Sequence, residues 1–233
     1  MAARENQSAL SRQARKAPLG ATSRGLSIYI ALGTNVGDRE SNLARAVERI
    51  DRLHLKLLAS RIERLRLAVS SVSSIYETEP VGFRDQPWFL NQVVEAKVPL
   101  DAIRGVELDA ELLKRGRLRA GGREFRIGAE ELLEDLLEIE SDMGRERLFA
   151  NGPRIIDIDL LMLDRVVIRP ASPAGLSLPH PRMHLRRFVL EPLCEIAPDA
   201  VHPATGKTAR RLLAEVGDAS EIRLHAPAPG HEN

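Results

Sequence analysis

The sequence PRIIDIDLLML, residues 153–163, places two aspartates inside a run that is otherwise isoleucine, leucine and methionine. The run is short and apolar and begins at a Gly-Pro pair, features that together predict a buried strand. Side chains alternate between the two faces of a strand, so Asp157 and Asp159 point to the same side, about 7 Å apart along the chain. Ile158 and Leu160 point to the opposite side, towards the core.

Two ionised carboxylates on one largely buried face need a cation between them, because burial and mutual repulsion are otherwise costly. The cation can be arginine, in which case the strand is structural, or a metal ion, in which case it is functional. The preceding loop, MGRERLFANGPR (143–154), contains Arg145, Arg147 and Arg154. Carboxylates bind Mg²⁺ together with substrate phosphates, and arginines neutralise the charge on a transferring phosphoryl group. The loop therefore favours the metal and predicts a phosphate site.

On both sides of this strand the sequence predicts alternating strands and helices. A helix is expected to begin at Asp38 and to extend to about Arg66. The other predicted elements are the strands SIYIALG (27–33), VSSVSSIYETEP (69–80) and NQVVEAKV (91–98), and the helix GAEELLEDLLEIESDMG (128–144), with Leu132, Leu133, Leu136, Leu137 and Met143 on its apolar face. The order strand, helix, strand, strand, helix, strand is that of a ferredoxin-like α+β sandwich with a mostly antiparallel sheet.

Three segments fall outside this pattern. Residues 1–26 are rich in Ser, Ala and Arg without periodicity, and they and the tail 226–233 are predicted to be disordered. Residues 101–127 are dense in arginine and glycine and are predicted to be an inserted, solvated loop. Deletion of residues 104–126 is therefore expected to leave turnover intact. The remainder, 27–225, is predicted to form a single domain carrying that insertion.

The composition of the 233-residue chain is that of a globular protein, with 43% hydrophobic and 29% charged residues. A net charge of +1 gives no reason to expect nucleic acid or an anionic membrane surface as a partner. No apolar run approaches the ~20 residues of a membrane helix, so no membrane association is expected. The single cysteine, Cys194, excludes an internal disulfide and indicates a cytoplasmic location.

Glu140 occupies an unusual position in the second predicted helix. It follows Leu136 by four residues and Leu133 by seven, and therefore falls on the apolar face. A carboxylate there either turns out to water at the end of the helix or lies at the rim of a pocket and accepts hydrogen bonds from a ligand. The spacing leaves both alternatives open.

Four stretches of the chain together resemble one known family, the 6-hydroxymethyl-7,8-dihydropterin pyrophosphokinases. They are YIALGTNVGDRESNL (29–43), SSIYETEPVGFRDQPWFLNQVV (73–94), MGRERLFANGPRIIDIDLL (143–161) and LPHPRMHLRRFVLEPLCEIAPD (178–199). The resemblance extends over residues 29–213, interrupted by the insertion and by a longer connection after the first helix. It is specific, because no general requirement of a fold demands all four stretches in this order.

The resemblance implies an enzyme of folate biosynthesis that transfers a pyrophosphoryl group from ATP to the hydroxymethyl oxygen of the pterin and releases AMP. It implies that Asp157 and Asp159 hold two Mg²⁺ ions, and that Arg145 and Arg154 are catalytic and close over the triphosphate. The implied ATP contacts are Glu140, Arg147, Leu160, His180 and Arg186. The implied pterin contacts are Gly33, Thr78, Val81, Phe89, Asn91 and Phe188, with the ring stacked between the two phenylalanines. Members are usually monomers that act on small molecules, so a monomer is expected here.

The arginine loop departs from the family pattern, because Asn151 stands where many members carry Trp and the loop is one residue shorter. Two other functions share the predicted architecture. A nucleotidyltransferase would use the same D-x-D pair and two metal ions but release pyrophosphate. An RNA-binding module would need exposed aromatics and a basic face, against which the 3% aromatic content and the net charge argue. Phe89, Asn91 and Phe188 distinguish the pyrophosphokinase from both.

Overall fold

The computed structural model describes residues 25–59, 62–101, 103, 105–146, 149, 152–170 and 175–229. Within these ranges the chain forms, in order, β1 (Gly25–Thr34), α1 (Arg39–Ile50), β2 (His54–Leu58), β3 (Ile62–Arg66), β4 (Ala68–Val72), β5 (Ile75–Thr78), β6 (Phe89–Pro99), β7 (Val106–Glu107), α2 (Ala110–Lys114), β8 (Arg117–Ala120), β9 (Arg123–Ile127), α3 (Ala129–Asp142), β10 (Asp157–Leu163), a 3₁₀ helix (Met183–Leu185), α4 (Arg187–Ile196), α5 (Ala209–Glu215) and β11 (Ile222–Ala226). These strands form two antiparallel sheets.

The larger sheet has the strand order β10-β1-β6-β5-β11, and β4 pairs with β6 next to β5. All of its strand pairs are antiparallel. The order of β10, β1, β6 and β5, together with α1 and α3, is that of the predicted ferredoxin-like sandwich. The predicted α+β fold with an antiparallel sheet is confirmed, and β11 extends it at one edge.

Buried side chains cover both faces of the larger sheet. On one face, alternate residues of β1 point towards α1 and α3 and belong to the main hydrophobic cluster. These residues are Leu26, Ile28, Ile30 and Leu32. On the opposite face, Tyr29 and Val93 pack against Val189 and Leu193 of α4. Complete burial of each large aliphatic side chain contributes about 1.5–3 kcal/mol. The sheet is therefore held between two helical layers, which leaves its strand ends available for a site.

The two predicted helices are present, with corrections to their extent and faces. Asp38 caps α1 as expected, since its side chain accepts the N–H of Ser41 at 3.1 Å. In α3, Ile139 is buried whereas Leu137, predicted to be buried, is 42% exposed. No helix in the described ranges is both long and apolar enough to cross a membrane.

The first predicted helix is too long. It ends at Ile50, and the following segment forms the hairpin of β2 and β3 instead of continuing to Arg66. Leu55 and Leu57 alternate with polar residues, and both are fully buried. Alternation with a period of two is the pattern of a half-buried strand, and it determines the structure here.

The prediction that residues 101–127 form a solvated loop is also wrong. Apart from residues 102 and 104, which lie outside the described residues, this segment is folded and supplies three strands of the smaller sheet, whose order is β3-β2-β9-β8-β7. Leu118 of β8 and Phe125 of β9 alternate with exposed arginines and join the main buried cluster. The segment is thus part of the hydrophobic core.

The predicted disordered ends need smaller corrections. Gly25 and Leu26 belong to β1, and residues 1–24 lie outside the described residues. The predicted tail begins at Ala226, which is the last residue of β11, and the N–H of Ala228 donates to Ser74 Oγ at 3.0 Å. Residues 230–233 lie outside the described residues.

Candidate active site

The register of the larger sheet brings three predicted site residues into one row where β1 ends. Gly33 pairs with Asn91 of β6 on one side and with Asp157 of β10 on the other. A Cβ atom at this position would lie 3.3 Å from Asn91 Oδ1, 3.8 Å from Asp157 Cβ and 3.9 Å from Phe89 Cδ1. The absence of a side chain at position 33 therefore keeps open the space that these three side chains surround.

Asp157 is held between the two predicted catalytic arginines. Nη1 of Arg145 lies 2.7 Å from Oδ1 of Asp157, and Nη1 of Arg154 lies 2.7 Å from Oδ2. The Asp157 side chain nevertheless remains 27% exposed. The negative charge is thus neutralised within the protein while an oxygen edge stays open to a ligand.

Asp159, on the same face of β10, has a looser set of cationic neighbours. Its Oδ2 lies 3.5 Å from Nη1 of Arg186 and 3.9 Å from Nε2 of His180. The backbone N–H of Arg182 donates to His180 Nδ1 at 3.2 Å, so the proton of the neutral ring is on Nε2, towards Asp159. Burial is the main cause that lowers the pKa of His180, against the opposing effect of the Asp159 charge. Burial therefore favours the neutral ring, whose Nε2–H is directed towards Asp159.

Glu140 lies beneath these carboxylates and is 3% exposed. It accepts the backbone N–H of Ile158 at 2.6 Å and pairs with Nη1 of Arg145. Burial raises the pKa of Glu140, although the Ile158 N–H and the charge of Arg145 act to lower it. The carboxylate turns neither to water nor to the cavity rim. It instead anchors Arg145 to the strand that carries Asp157.

A cavity of about 440 Å³ opens over this row. Its lining includes every residue predicted to contact a pterin, namely Gly33, Thr78, Val81, Phe89, Asn91 and Phe188, and five of the predicted phosphate or metal residues, namely Arg145, Arg154, Asp157, Asp159 and Arg186. The aromatic and the charged residues, which are far apart in sequence, thus meet in one cavity.

The polar and aromatic groups on the predicted pterin side are held by neighbours. Asn91 Nδ2 donates to Thr78 Oγ1 at 2.7 Å. The amide oxygen of Asn91 accepts no hydrogen bond from the described residues and can therefore accept one from a ligand. The guanidinium carbon of Arg154 lies 5.3 Å from the centre of the Phe89 ring. Arg186 lies 5.4 Å from the centre of the Phe188 ring. Each aromatic ring therefore contacts one of the arginines that pair with an aspartate.

Three predicted ATP contacts do not line the cavity, and a fourth cannot be placed. His180 does not line it, although its Nε2 lies 3.9 Å from Oδ2 of Asp159, which does. Leu160 is 3% exposed and its side chain belongs to the main hydrophobic cluster, as expected from the alternation of β10. The side chain of Glu140 is occupied below the cavity, as described above. Arg147 lies outside the described residues, as does Asn151, where the loop departs from the family pattern.

The cavity also contains residues that the sequence analysis did not single out. They are Glu79, Gly82, Glu146, Phe149, Gly152, Pro153 and Arg182. Phe149 is 51% exposed and packs edge-on against Phe83, with ring centres 5.3 Å apart. An exposed phenylalanine in each of two polar loops was the feature of the sequence that could have indicated this contact. The two rings join the loop after β5 to the arginine loop.

Asn35 is a further organising residue that the sequence analysis missed. It follows β1 directly and is 2% exposed. Its amide nitrogen donates to Gln86 Oε1 and to Pro87 O, both at 3.0 Å, and its amide oxygen accepts the N–H of Arg154 at 2.8 Å. One buried side chain thus connects the loop before Phe89 to the loop that carries Arg154.

The donor set is suited to Mg²⁺. Two carboxylates on the same face of β10 border the cavity, and Mg²⁺ is usually bound by one or two carboxylates, with phosphates and water as the other ligands. Within the described ranges, no three His, Cys, Asp or Glu side chains converge on one point. Asp157 and Asp159 are therefore the residues that would hold such an ion, with the remaining ligands coming from substrate and water.

Comparison with known proteins gives a consistent result. The family model for 7,8-dihydro-6-hydroxymethylpterin-pyrophosphokinase matches residues 29–124 and 120–198. The 2-amino-4-hydroxy-6-hydroxymethyldihydropteridine pyrophosphokinase of Bacillus subtilis is 38% identical over 177 residues, which cover 76% of this chain and 81% of that protein. The protein of the same name from Methylorubrum extorquens is 37% identical over 196 residues, 84% of this chain and 97% of its own length.

Solved structures support the fold. A crystal structure of Plasmodium falciparum HPPK-DHPS aligns with a TM-score of 0.52 at 16% sequence identity. The alignment covers 84% of this chain but 45% of that one, so this chain spans less than half of the Plasmodium protein. At this level of identity the likeness concerns the fold alone.

Proposed function

The chain belongs to the 7,8-dihydro-6-hydroxymethylpterin-pyrophosphokinase family, and from this premise we propose how its cavity performs the reaction. The activity is the transfer of pyrophosphate to 6-hydroxymethyl-7,8-dihydropterin in folate biosynthesis, with ATP as co-substrate. The observation that carries the proposal is the row of Asn91, Gly33 and Asp157, because it sets an amide and a carboxylate on either side of one open space.

The pterin is proposed to occupy the side of the cavity bordered by Phe89, Phe188 and Asn91. A flat ring with amide-like edges is bound by stacking and by a few fixed polar groups. Support comes from the hydrogen bond between Asn91 and Thr78, which leaves the oxygen of Asn91 as an acceptor for ring N–H groups. Val81, 58% exposed at the cavity mouth, is proposed to contribute a backbone contact together with Thr78.

The triphosphate is proposed to lie along Asp157 and Asp159 and to be bound by Arg145, Arg154 and Arg186. His180 is proposed as a further ATP contact through its Nε2–H, and Arg147 keeps the role that the family resemblance implies. Glu140 is proposed to act through Arg145, which it contacts directly. A side-chain contact from Leu160 is withdrawn because this side chain is in the core.

Asp157 and Asp159 are proposed to hold two Mg²⁺ ions, which when bound neutralise the phosphates and orient them. Support comes from the two adjacent carboxylates and from the cations that already balance them. Arg145 and Arg154 neutralise Asp157 in the free protein. If Asp157 binds a Mg²⁺ ion, Arg145 and Arg154 lose their partner on this carboxylate. Both guanidinium groups then become available to the phosphate oxygens.

In the proposed step, the hydroxymethyl oxygen of the pterin bonds to the β-phosphorus of ATP. The bond between that phosphorus and the oxygen bridging to the α-phosphate breaks, AMP leaves with this oxygen, and the hydroxyl proton passes to solvent. Arginine side chains stabilise the charge that develops on the phosphate oxygens. The protein therefore contributes chiefly by holding the two substrates in line.

The remaining proposals concern the setting of the enzyme. It is proposed to act in the cytoplasm as a monomer on small molecules, without nucleic acid or membrane partners. A net charge of +1 supports the proposed absence of a nucleic-acid or membrane partner, and the single cysteine supports the cytoplasmic location. The proposed monomer rests on the family resemblance.

The test is analysis of the nucleotide products formed from ATP, Mg²⁺ and the reduced hydroxymethylpterin. AMP is expected in a one-to-one ratio with pterin diphosphate, and Asp157→Asn and Asp159→Asn are expected to reduce its formation by roughly 100-fold or more. Asp142→Asn is the control, since Asp142 pairs with Arg49 on the exposed surface of α3. Release of pyrophosphate instead of AMP would indicate a nucleotidyltransferase and refute the proposal.

A further inference from the structure

Four arginines line the cavity, and one differs from the others. Arg145 and Arg154 pair with Asp157, and Arg186 pairs with Asp159. Arg182 makes no side-chain hydrogen bond or ion pair with any residue in the described part of the chain, and it is exposed to the cavity. Among the described residues, its positive charge therefore has no carboxylate partner.

The backbone of Arg182 is nevertheless fixed. Its N–H donates to His180 Nδ1 at 3.2 Å, and its carbonyl accepts the N–H of Leu185 at 3.1 Å. The next residue, Met183, is fully buried, and the N–H of His180 donates to Leu161 of β10 at 2.8 Å. The guanidinium is thus carried by a rigid corner attached to the strand that bears the two aspartates.

Arg182 shares the cavity with the other arginines. Arg186 follows it by four residues, and both line the cavity together with Arg145 and Arg154. Like charges gathered in one cavity repel one another, and an anion with several charges that binds among them offsets this repulsion.

We propose that Arg182 is a substrate-binding residue that contacts the phosphate chain of the nucleotide. This inference rests on the proposed function, which brings a polyanion into the cavity. A triphosphate has oxygens to spare after Arg145, Arg154 and Arg186 are engaged, whereas the pterin is uncharged and has no need of a cation. A guanidinium offers two parallel N–H donors that match a phosphate group.

The experiment is direct binding of a non-hydrolysable ATP analogue with Mg²⁺, measured by calorimetry on the full chain. Arg182→Ala is expected to weaken this binding about 10- to 100-fold, since a charged hydrogen bond is removed. Arg182→Lys is expected to recover part of the loss, because the charge is retained without the fork. Binding of the pterin, followed by its fluorescence, and the melting temperature are expected to be unchanged.

Arg187→Ala is the matched control. Arg187 is the first residue of α4, pairs with Glu191 at 3.2 Å and does not line the cavity. Unchanged affinity of Arg182→Ala for the analogue, or an equal loss of pterin affinity, would overturn the inference. So would a wild-type protein that does not bind the analogue. A wild-type protein that binds the analogue but forms no AMP would instead refute the proposed function and leave the Arg182 comparison valid.

Discussion

Asn35 and Arg154 hold each other through two hydrogen bonds: the backbone N–H of Asn35 donates to Arg154 O at 3.1 Å, and the N–H of Arg154 donates to Asn35 Oδ1 at 2.8 Å. The amide group of Asn35 also donates to Gln86 and Pro87. The position of Arg154, one of the two arginines proposed to be catalytic, relative to the loop before Phe89 thus depends on a single buried side chain.

We expect Asn35→Ala to reduce both stability and turnover. Unpaired buried partners cost about 1–3 kcal/mol in the free energy of unfolding, and Arg154 loses the contact that fixes its backbone. Urea unfolding and steady-state turnover measure the two effects. Asn42→Ala is the control, because Asn42 is similarly buried and its amide donates to Val36 O without contacting Arg154. Equal turnover in the two variants would contradict the prediction.

We expect Gly33→Ala to raise the KM for the pterin with little change in the melting temperature. Its Cβ would lie 3.3 Å from Asn91 Oδ1, in the space proposed for the ring edge. Gly217→Ala provides the control, since a Cβ there would have no neighbour within 4 Å. Steady-state kinetics at saturating ATP measure the effect. A normal pterin KM in Gly33→Ala would place the ring elsewhere.

The raised pKa of Glu140 predicts a pH dependence of stability. An acid whose pKa is higher in the folded than in the unfolded state binds more protons when folded, so stability falls as pH rises from its unfolded value near 4.5 through the raised pKa. Urea unfolding at a series of pH values should show that wild type loses stability relative to Glu140→Gln across this window. Glu138→Gln, on the exposed face of the same helix, should follow wild type. If the stability of wild type relative to Glu140→Gln instead increased with pH, the pKa of Glu140 would be lowered in the folded state, and the prediction would be wrong.

Residues 101–127 are expected to be required for folding, which replaces the prediction that 104–126 can be deleted. Leu118→Ala should lower the free energy of unfolding by about 2–5 kcal/mol, because the side chain is fully buried. Arg119→Ala, which removes an exposed pair with Glu124, should cost less than about 1 kcal/mol. The deletion should abolish cooperative unfolding in urea. A deleted protein that folds and turns over would restore the original interpretation.

The sequence was sufficient to predict a site residue where the surrounding apolar residues follow the period of only one kind of secondary structure. Asp157 and Asp159 alternate with apolar residues of β10, so their shared face follows from strand geometry alone. The same holds for β6, which carries Asn91, and for the apolar face of α3 up to Leu136. In each case local pattern and tertiary packing require the same conformation.

The sequence was insufficient to predict the structure where the apolar residues fit a helix and a strand equally well. It was also insufficient where a side chain contacts a residue that is distant in the sequence. Leu57 fits the apolar face of a lengthened α1 as well as the inner face of β2, and only burial in the smaller sheet decides between them. In β8 and β9, the density of arginine concealed a short alternation around Leu118. The contact of Glu140 with the N–H of Ile158 depends on how a helix packs against a strand, which no local period encodes.

The contacts made by Glu140 and His180 have a consequence for self-association. β10 is at the edge of the larger sheet, and an edge strand with free backbone groups can pair with the strand of another molecule. Here the N–H of Ile158 is taken by the Glu140 carboxylate and the carbonyl of Leu161 by the N–H of His180. The groups that hold β10 in place therefore also block its open edge against the intermolecular β-pairing that leads to aggregation.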